Sequence, residues 1–160
     1  MEPANTRIAI LGWGSLIRDA GQMTLDGDCA LGGPRLPIEF SRISNAGHLT
    51  LVIDHDHGDL VTTYFVKSGR TELADAREEL RVREGPTLLS NIGYVDLASK
   101  GSHGRSDTDK QAIAAWAEEA GFDAVIWTDL PPKFETESDD GFSVERSPRS
   151  YAVPLAAKAA

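Results

Sequence analysis

The apolar patterning of this chain changes period partway along, and that order limits the folds open to it. The runs Ile8-Ala9-Ile10-Leu11, Leu36-Pro37-Ile38-Glu39-Phe40 and Leu49-Thr50-Leu51-Val52-Ile53 are short and partly alternating, as strands are. Leu49 to Ile53 and Leu60 to Val66 flank the polar tip Asp54-His55-Asp56-His57-Gly58-Asp59, which predicts a hairpin with a long tip. Only from Thr71 does the period become helical. Thr71 is placed to cap a helix running to Arg83, Glu72 and Asp75 suit its positive first turn, and Leu73, Ala76 and Leu80 share one face. Gly85-Pro86 stops it. A strand over Ile92 to Leu97 and a loop over Ser99 to Ser106 lead to a second helix, from about Asp107 to Ala120. Its buried stripe is Ile113, Trp116, Ala117 and Ala120, and Gly121 is its natural C-cap. Phe122 to Trp127 reads as a last strand.

Strands in succession, followed by helix, strand, helix, strand, depart from the regular βαβ alternation of a doubly wound sheet. The expectation is therefore an α+β fold on a mixed sheet able to close on itself. At 160 residues the chain has the usual size of one domain and can bury about two-thirds of its unfolded surface. That domain is expected over residues 1–145. Lys133 to Gly141 is acidic and poor in large aliphatics, as a loop is, and residues 146–160 read as an irregular tail without a firm period.

With 41% apolar and 26% charged residues, neither global disorder nor a fibrous repeat is indicated. The net charge of −9 repels phosphate backbones and anionic lipid, which argues against a nucleic-acid or membrane-surface role. Cys29 is the only cysteine, so no internal disulfide forms, and a cytoplasmic location is expected. The start, Met1 to Arg7, lacks a basic segment followed by a long apolar run, and no stretch approaches the ~20 apolar residues of a membrane span.

Chemistry concentrates where the first strand breaks into Gly12-Trp13-Gly14-Ser15-Leu16. A strand ending in Gly-x-Gly suggests a dinucleotide turn, but Ile17 stands where the third glycine belongs, and Arg18 to Asp28 is no amphipathic crossover helix. Two readings stay open: a tight turn in which glycine relieves strain, or a cradle in which backbone N–H groups and the Ser15 hydroxyl hold a carboxylate or oxyanion. Trp13 is placed to wall such a pocket. Ser15 lacks the Gly-x-Ser-x-Gly elbow, since position 17 is Ile, and Cys29 has no nearby base.

Glu84 is the second candidate. At a helix C-terminus the dipole disfavours a further negative charge, which suits a general base; a solvated helix-end glutamate, like Glu78 and Glu79 beside it, is the plainer reading. His55 and His57 share one face of an extended segment near Asp54, Asp56 and Asp59, the makings of a metal site, but no distant ligand of matching spacing is evident. At a hairpin tip these are also ordinary turn residues. His48 and His103 stand alone in loops, and Asp129, after the last strand, is a weak candidate.

With both motifs in hand, the chain resembles the γ-glutamylcyclotransferase-like family. Its members carry a Tyr-Gly-Ser loop, followed by Asn or Leu, after the first strand; here the corresponding residues are Trp13-Gly14-Ser15-Leu16. A glutamate immediately before a glycine is the family's acid/base, and Glu84 before Gly85 is the matching position. The resemblance covers residues 8–97 and is closest to small bacterial members with Gly-Trp-Gly-Ser-Leu near the start and Arg-Glu-Gly in mid-chain. Trp13 in place of Tyr, and the stretch after Val144, depart from the pattern and leave the substrate's identity open.

The resemblance implies a small barrel-like mixed sheet with flanking helices. It also implies an enzyme, a transferase or lyase, that releases 5-oxoproline from a γ-glutamyl amide by intramolecular aminolysis. Glu84 would move the proton and Gly12 to Leu16 would hold the substrate; no cofactor or metal is required. The alternatives from other classes are a non-catalytic small-ligand-binding domain of the same fold and a His/Asp metal hydrolase. The amine half of the substrate and the oligomeric state are not legible, nor is whether Ser41, Arg42, Tyr64, Tyr94 or Asp129 lines the pocket.

Overall fold

Strand β1 (Ile8–Gly12) is buried at every position, so both of its faces are covered. A computed structural model of the chain describes residues 6–13, 21–43, 49–85 and 87–132. In these the strands are β1, β2 (Ala30–Ile43), β3 (Leu49–Ile53), β4 (Asp59–Lys67), β5 (Ile92–Asp96), β6 (Gly101–His103) and β7 (Ala124–Thr128). The helices are α1 (Leu73–Glu84) and α2 (Asp107–Ala120), with a 3-10 turn over Leu89–Asn91. The architecture is mixed α+β, as expected.

Two compact units divide the chain, and β2 and β4 each pass from one to the other. The first unit holds β1, the start of β2, β4 from Thr62, and everything from there to Asp129. Its strands order as β4-β1-β7-β5-β6, with β1 antiparallel to β4 and parallel to β7, and β5 antiparallel to both β7 and β6. No described pairing carries β6 on to a further strand, so the sheet is open and the expected barrel closure is not found. In the second unit β2 and β3 pair antiparallel from Ile38↔Ile53 to Ile43↔Leu49, with a bulge between Phe40 and Arg42.

The expected hairpin is not formed. β3 takes β2 as its partner and β4 pairs with β1, so β3 and β4, consecutive in sequence, are not neighbours in the sheet. β2 is also much longer than the run 36–40, and β6, within the expected loop 99–106, adds a short ladder to β5. Gly101-Ser102-His103 has no apolar alternation to announce it.

Helix α1 lays Ala76 and Leu80 on Ile8, Ile10, Val66, Ile92, Ala124 and Ile126, with Leu73 packed at the margin. Its N-cap is Glu72, not Thr71, and no side chain caps it. Helix α2 begins and ends as the sequence predicts: Ser106 Oγ accepts from the Asp109 N–H, and Gly121 closes it in the left-handed region. Strand alternation turns Phe65 away from Val66, and Phe65 meets α2 through Trp116, ring centroids 5.2 Å apart. The two helices thus cover opposite faces of the sheet. Ile113 and Ala117 are buried, but Trp116 is half-buried with its indole N–H on Gly32 O, and Ala120 is exposed. The last strand starts two residues later than Phe122, whose ring stacks on Trp116. Expectations for residues 133–160 lie outside the described residues.

Candidate functional site

Register sets the frame of the site. Gly12 lies opposite Tyr64 on β4. Because Ile10 is level with Ile126 on the parallel β7, Gly12 is level with Thr128, which in turn pairs with Ile92 at the start of β5. The carboxyl ends of the two parallel strands therefore point to one end of the sheet, the usual place for a ligand site on such a sheet. Gly12 is buried there and Trp13, just beyond it, is half-buried. Gly14, Ser15 and Leu16 lie outside the described residues.

Gly21 is in the left-handed region at φ 65°, and a Cβ there would stand 3.2 Å from Arg83 Cγ. Thr24 then ties this segment to α1: its N–H and hydroxyl donate to Glu79 at 3.1 and 3.0 Å, and Met23 enters the core. Arg70 donates to the same carboxylate at 3.0 and 2.8 Å. Burial raises Glu79, but the hydrogen bonds from Arg70 and from Thr24 outweigh it and hold the carboxyl below its ordinary range. Glu79 is thus an anchor, not the plain surface charge its position in the sequence suggests, whereas Glu78 pairs with Arg81 on the exposed side of α1. A cavity of about 760 Å³ lies here, lined in part by Gly21, Gln22, Met23, Arg70 and Arg83.

Glu84 is the last residue of α1, and its Oε2 accepts from an Arg83 guanidinium nitrogen at 2.7 Å. The side chains are 14% and 15% exposed. Gly85 follows at φ 94°, a conformation that suits glycine and turns the chain sharply off the helix. The solvated helix-end reading of Glu84 does not describe this group: it is mostly enclosed and has a cationic partner.

Around this end, Asp129 is buried and its Oδ2 accepts the Arg105 N–H at 2.7 Å, so it fastens a turn. Tyr94 lies under the Arg77 guanidinium at 4.6 Å, and that guanidinium also donates to Ile92 O and Leu89 O. His103, expected to stand alone, stacks beside Tyr94 and places Nε2 2.7 Å from Ser90 O. Burial, aided by Asp28, pushes the Cys29 thiol up, away from thiolate chemistry.

In the second unit the polar tip is organised by Asp54. Buried to 3% exposure, its carboxylate accepts the N–H groups of Asp56 and His57 and sits 3.1 Å from His57 Nδ1. Among the described residues no group of three or more His, Cys, Asp or Glu is arranged to hold a metal. Arg42 donates to Pro131 O at 2.9 Å. His48 lies outside the described residues. No helix among the described residues is long and apolar enough to cross a membrane. The chain has no match among models of known protein families, curated proteins or solved structures.

Proposed function

We propose that the chain is a γ-glutamylcyclotransferase-like enzyme, acting in the cytoplasm on a small γ-glutamyl amide. Glu84 takes a proton from the α-ammonium, the freed amine attacks the γ-carbonyl carbon, the amide C–N bond breaks, and the proton passes to the departing amine. The products are 5-oxoproline and an amine. Attacker and carbonyl belong to one molecule, so positioning supplies much of the rate. In this reading Gly12, Trp13, Gly14, Ser15 and Leu16 hold the substrate anion, and no cofactor takes part. The family's barrel-like sheet belongs to the same reading.

The observation that carries it is the place of Gly21 beside α1. A Cβ at Gly21 would stand 3.2 Å from Cγ of Arg83, the ion-pair partner of Glu84. At Gly21 the chain that follows Gly12 and Trp13 thus lies against the neighbour of Glu84, which supports the reading. Glu84→Gln tests the reading: release of 5-oxoproline from γ-glutamyl amides falls by about a thousandfold or more, while ligand-induced stabilisation persists. Full activity in that variant sinks it.

A second reading draws on the Arg83 contact. A carboxylate already clamped by a neighbouring guanidinium also suits a structural role at the helix end, in a binding domain that does no chemistry. Stabilisation by γ-glutamyl compounds without turnover favours that reading.

A further inference from the structure

We infer that Tyr64 and Thr128 are substrate-positioning residues whose hydroxyl groups donate to the γ-glutamyl carboxylate at the end of β1, an inference that rests on the function just proposed. Alternation places both on the sheet face that α1 covers: Val66 and Ile126, two residues from each, belong to the core under Ala76 and Leu80. Along that face the rows read Val66 then Tyr64 on β4, Ile8, Ile10 then Gly12 on β1, and Ala124, Ile126 then Thr128 on β7. Everything before the last position is apolar. The first polar side chains on these rows are the two hydroxyls, one on each side of a residue that has no side chain.

Both groups are half-buried, and among the described residues neither hydroxyl has a hydrogen-bond partner. Neither hydroxyl oxygen is among the buried polar atoms left without a partner, so each is open to an acceptor that arrives with a ligand. An anion at the end of β1, beyond Gly12, supplies an acceptor to both at once. Each O–H donates, the carboxylate accepts, and no basic side chain stands in these rows to compete. Neutral donors of this kind orient a carboxylate without fixing it so tightly that product release becomes slow.

The test uses Tyr64→Phe and Thr128→Val, near-isosteric changes in the full chain, with Thr128→Ser as the conservative control. With γ-glutamyl dipeptides as substrates, each hydroxyl removal raises KM about tenfold at nearly unchanged kcat. Thr128→Ser keeps the wild-type KM, and melting temperatures stay within about 2 °C. Wild-type KM in both variants overturns the inference. So does a drop in melting temperature with KM intact, which would make the pair structural. If wild-type protein releases no 5-oxoproline, the proposed function fails separately, and thermal shifts by 5-oxoproline and L-glutamate decide the inference alone. A wild-type shift lost in both variants supports the pair as a carboxylate site; no shift, or an equal shift in the variants, overturns it.

Discussion

Arg83 and Glu84, adjacent in sequence, close an ion pair at the end of α1, with 2.7 Å between guanidinium nitrogen and Oε2. Successive helix residues point about 100° apart and do not normally face each other. The pair forms because Glu84 ends the helix and Gly85, at φ 94°, turns the chain away from it. Low exposure on both sides lifts the contact above the usual surface pair, which is worth about 0–1 kcal/mol.

Arg83→Met and Glu84→Gln, alone and together, should therefore show a coupling of about 1–2 kcal/mol in a double-mutant cycle read by urea unfolding. If the two changes add within about 0.3 kcal/mol, the contact is energetically idle. A positive coupling also fixes the order of the functional tests, because activity changes in Arg83→Met would then have to be separated from stability.

Glu79 carries a pH dependence of definite sign. Its carboxyl is held below the ordinary value of 4.5, so its contribution is present above that pH and is lost as pH falls through the lower folded value. Wild-type protein should exceed Glu79→Gln by about 1 kcal/mol at neutral pH, since the bonds from Arg70 and Thr24 are charge-assisted but screened by solvent. The gap should narrow below about pH 4.5. A gap that is constant from neutral pH to pH 3 would remove the ionic contribution and leave only packing.

What the sequence discloses depends on how local the cause is. Ser106, Asp109 and Gly121 hold the signals for both ends of α2 within a few residues of where they act, and that helix is legible to the residue. The partner of β3 is set by a strand that precedes it and by the bulge between Phe40 and Arg42, so the polar tip at 54–59 mimics a hairpin that does not exist. The site divides the same way. Glu84 is visible from its place before Gly85, but Tyr64 reaches Gly12 only through strand register, and Thr24 reaches Glu79 across more than fifty residues of chain. No spacing rule reports either.

Asp54 holds the tip by accepting from two backbone N–H groups and lying beside the His57 ring while almost fully buried. Asp54→Ala leaves two amide donors to find new partners and should destabilise the protein by about 2 kcal/mol, whereas exposed His55→Ala should cost under about 0.5 kcal/mol. Thermal unfolding separates the two. Adding Zn²⁺ should leave the melting temperature unchanged, since both Asp54 oxygens are engaged within the turn. A metal-dependent rise would revive the metal-hydrolase reading of this segment.

Trp127 lies across its cross-strand partner Gly93, and the fit leaves no room for a methyl group. A Cβ at Gly93 would stand 2.6 Å from Trp127 Cζ2 and 2.7 Å from Nε1, inside any real carbon contact. The ring is only 1% exposed and packed on all sides, so it cannot swing aside. Gly93→Ala should therefore destabilise by about 3 kcal/mol, at the upper end for overpacking. Gly104→Ala should cost less, because its closest ring contact is 3.1 Å and its other neighbour is the flexible stem of Lys110. Trp127→Phe relieves the clash and also removes an indole N–H that has no acceptor among the described residues, at the expense of some buried area. The double variant Gly93→Ala/Trp127→Phe should then be at least about 1 kcal/mol more stable than the sum of the single changes predicts. Simple additivity in urea unfolding would mean that the ring does not occupy the slot over Gly93.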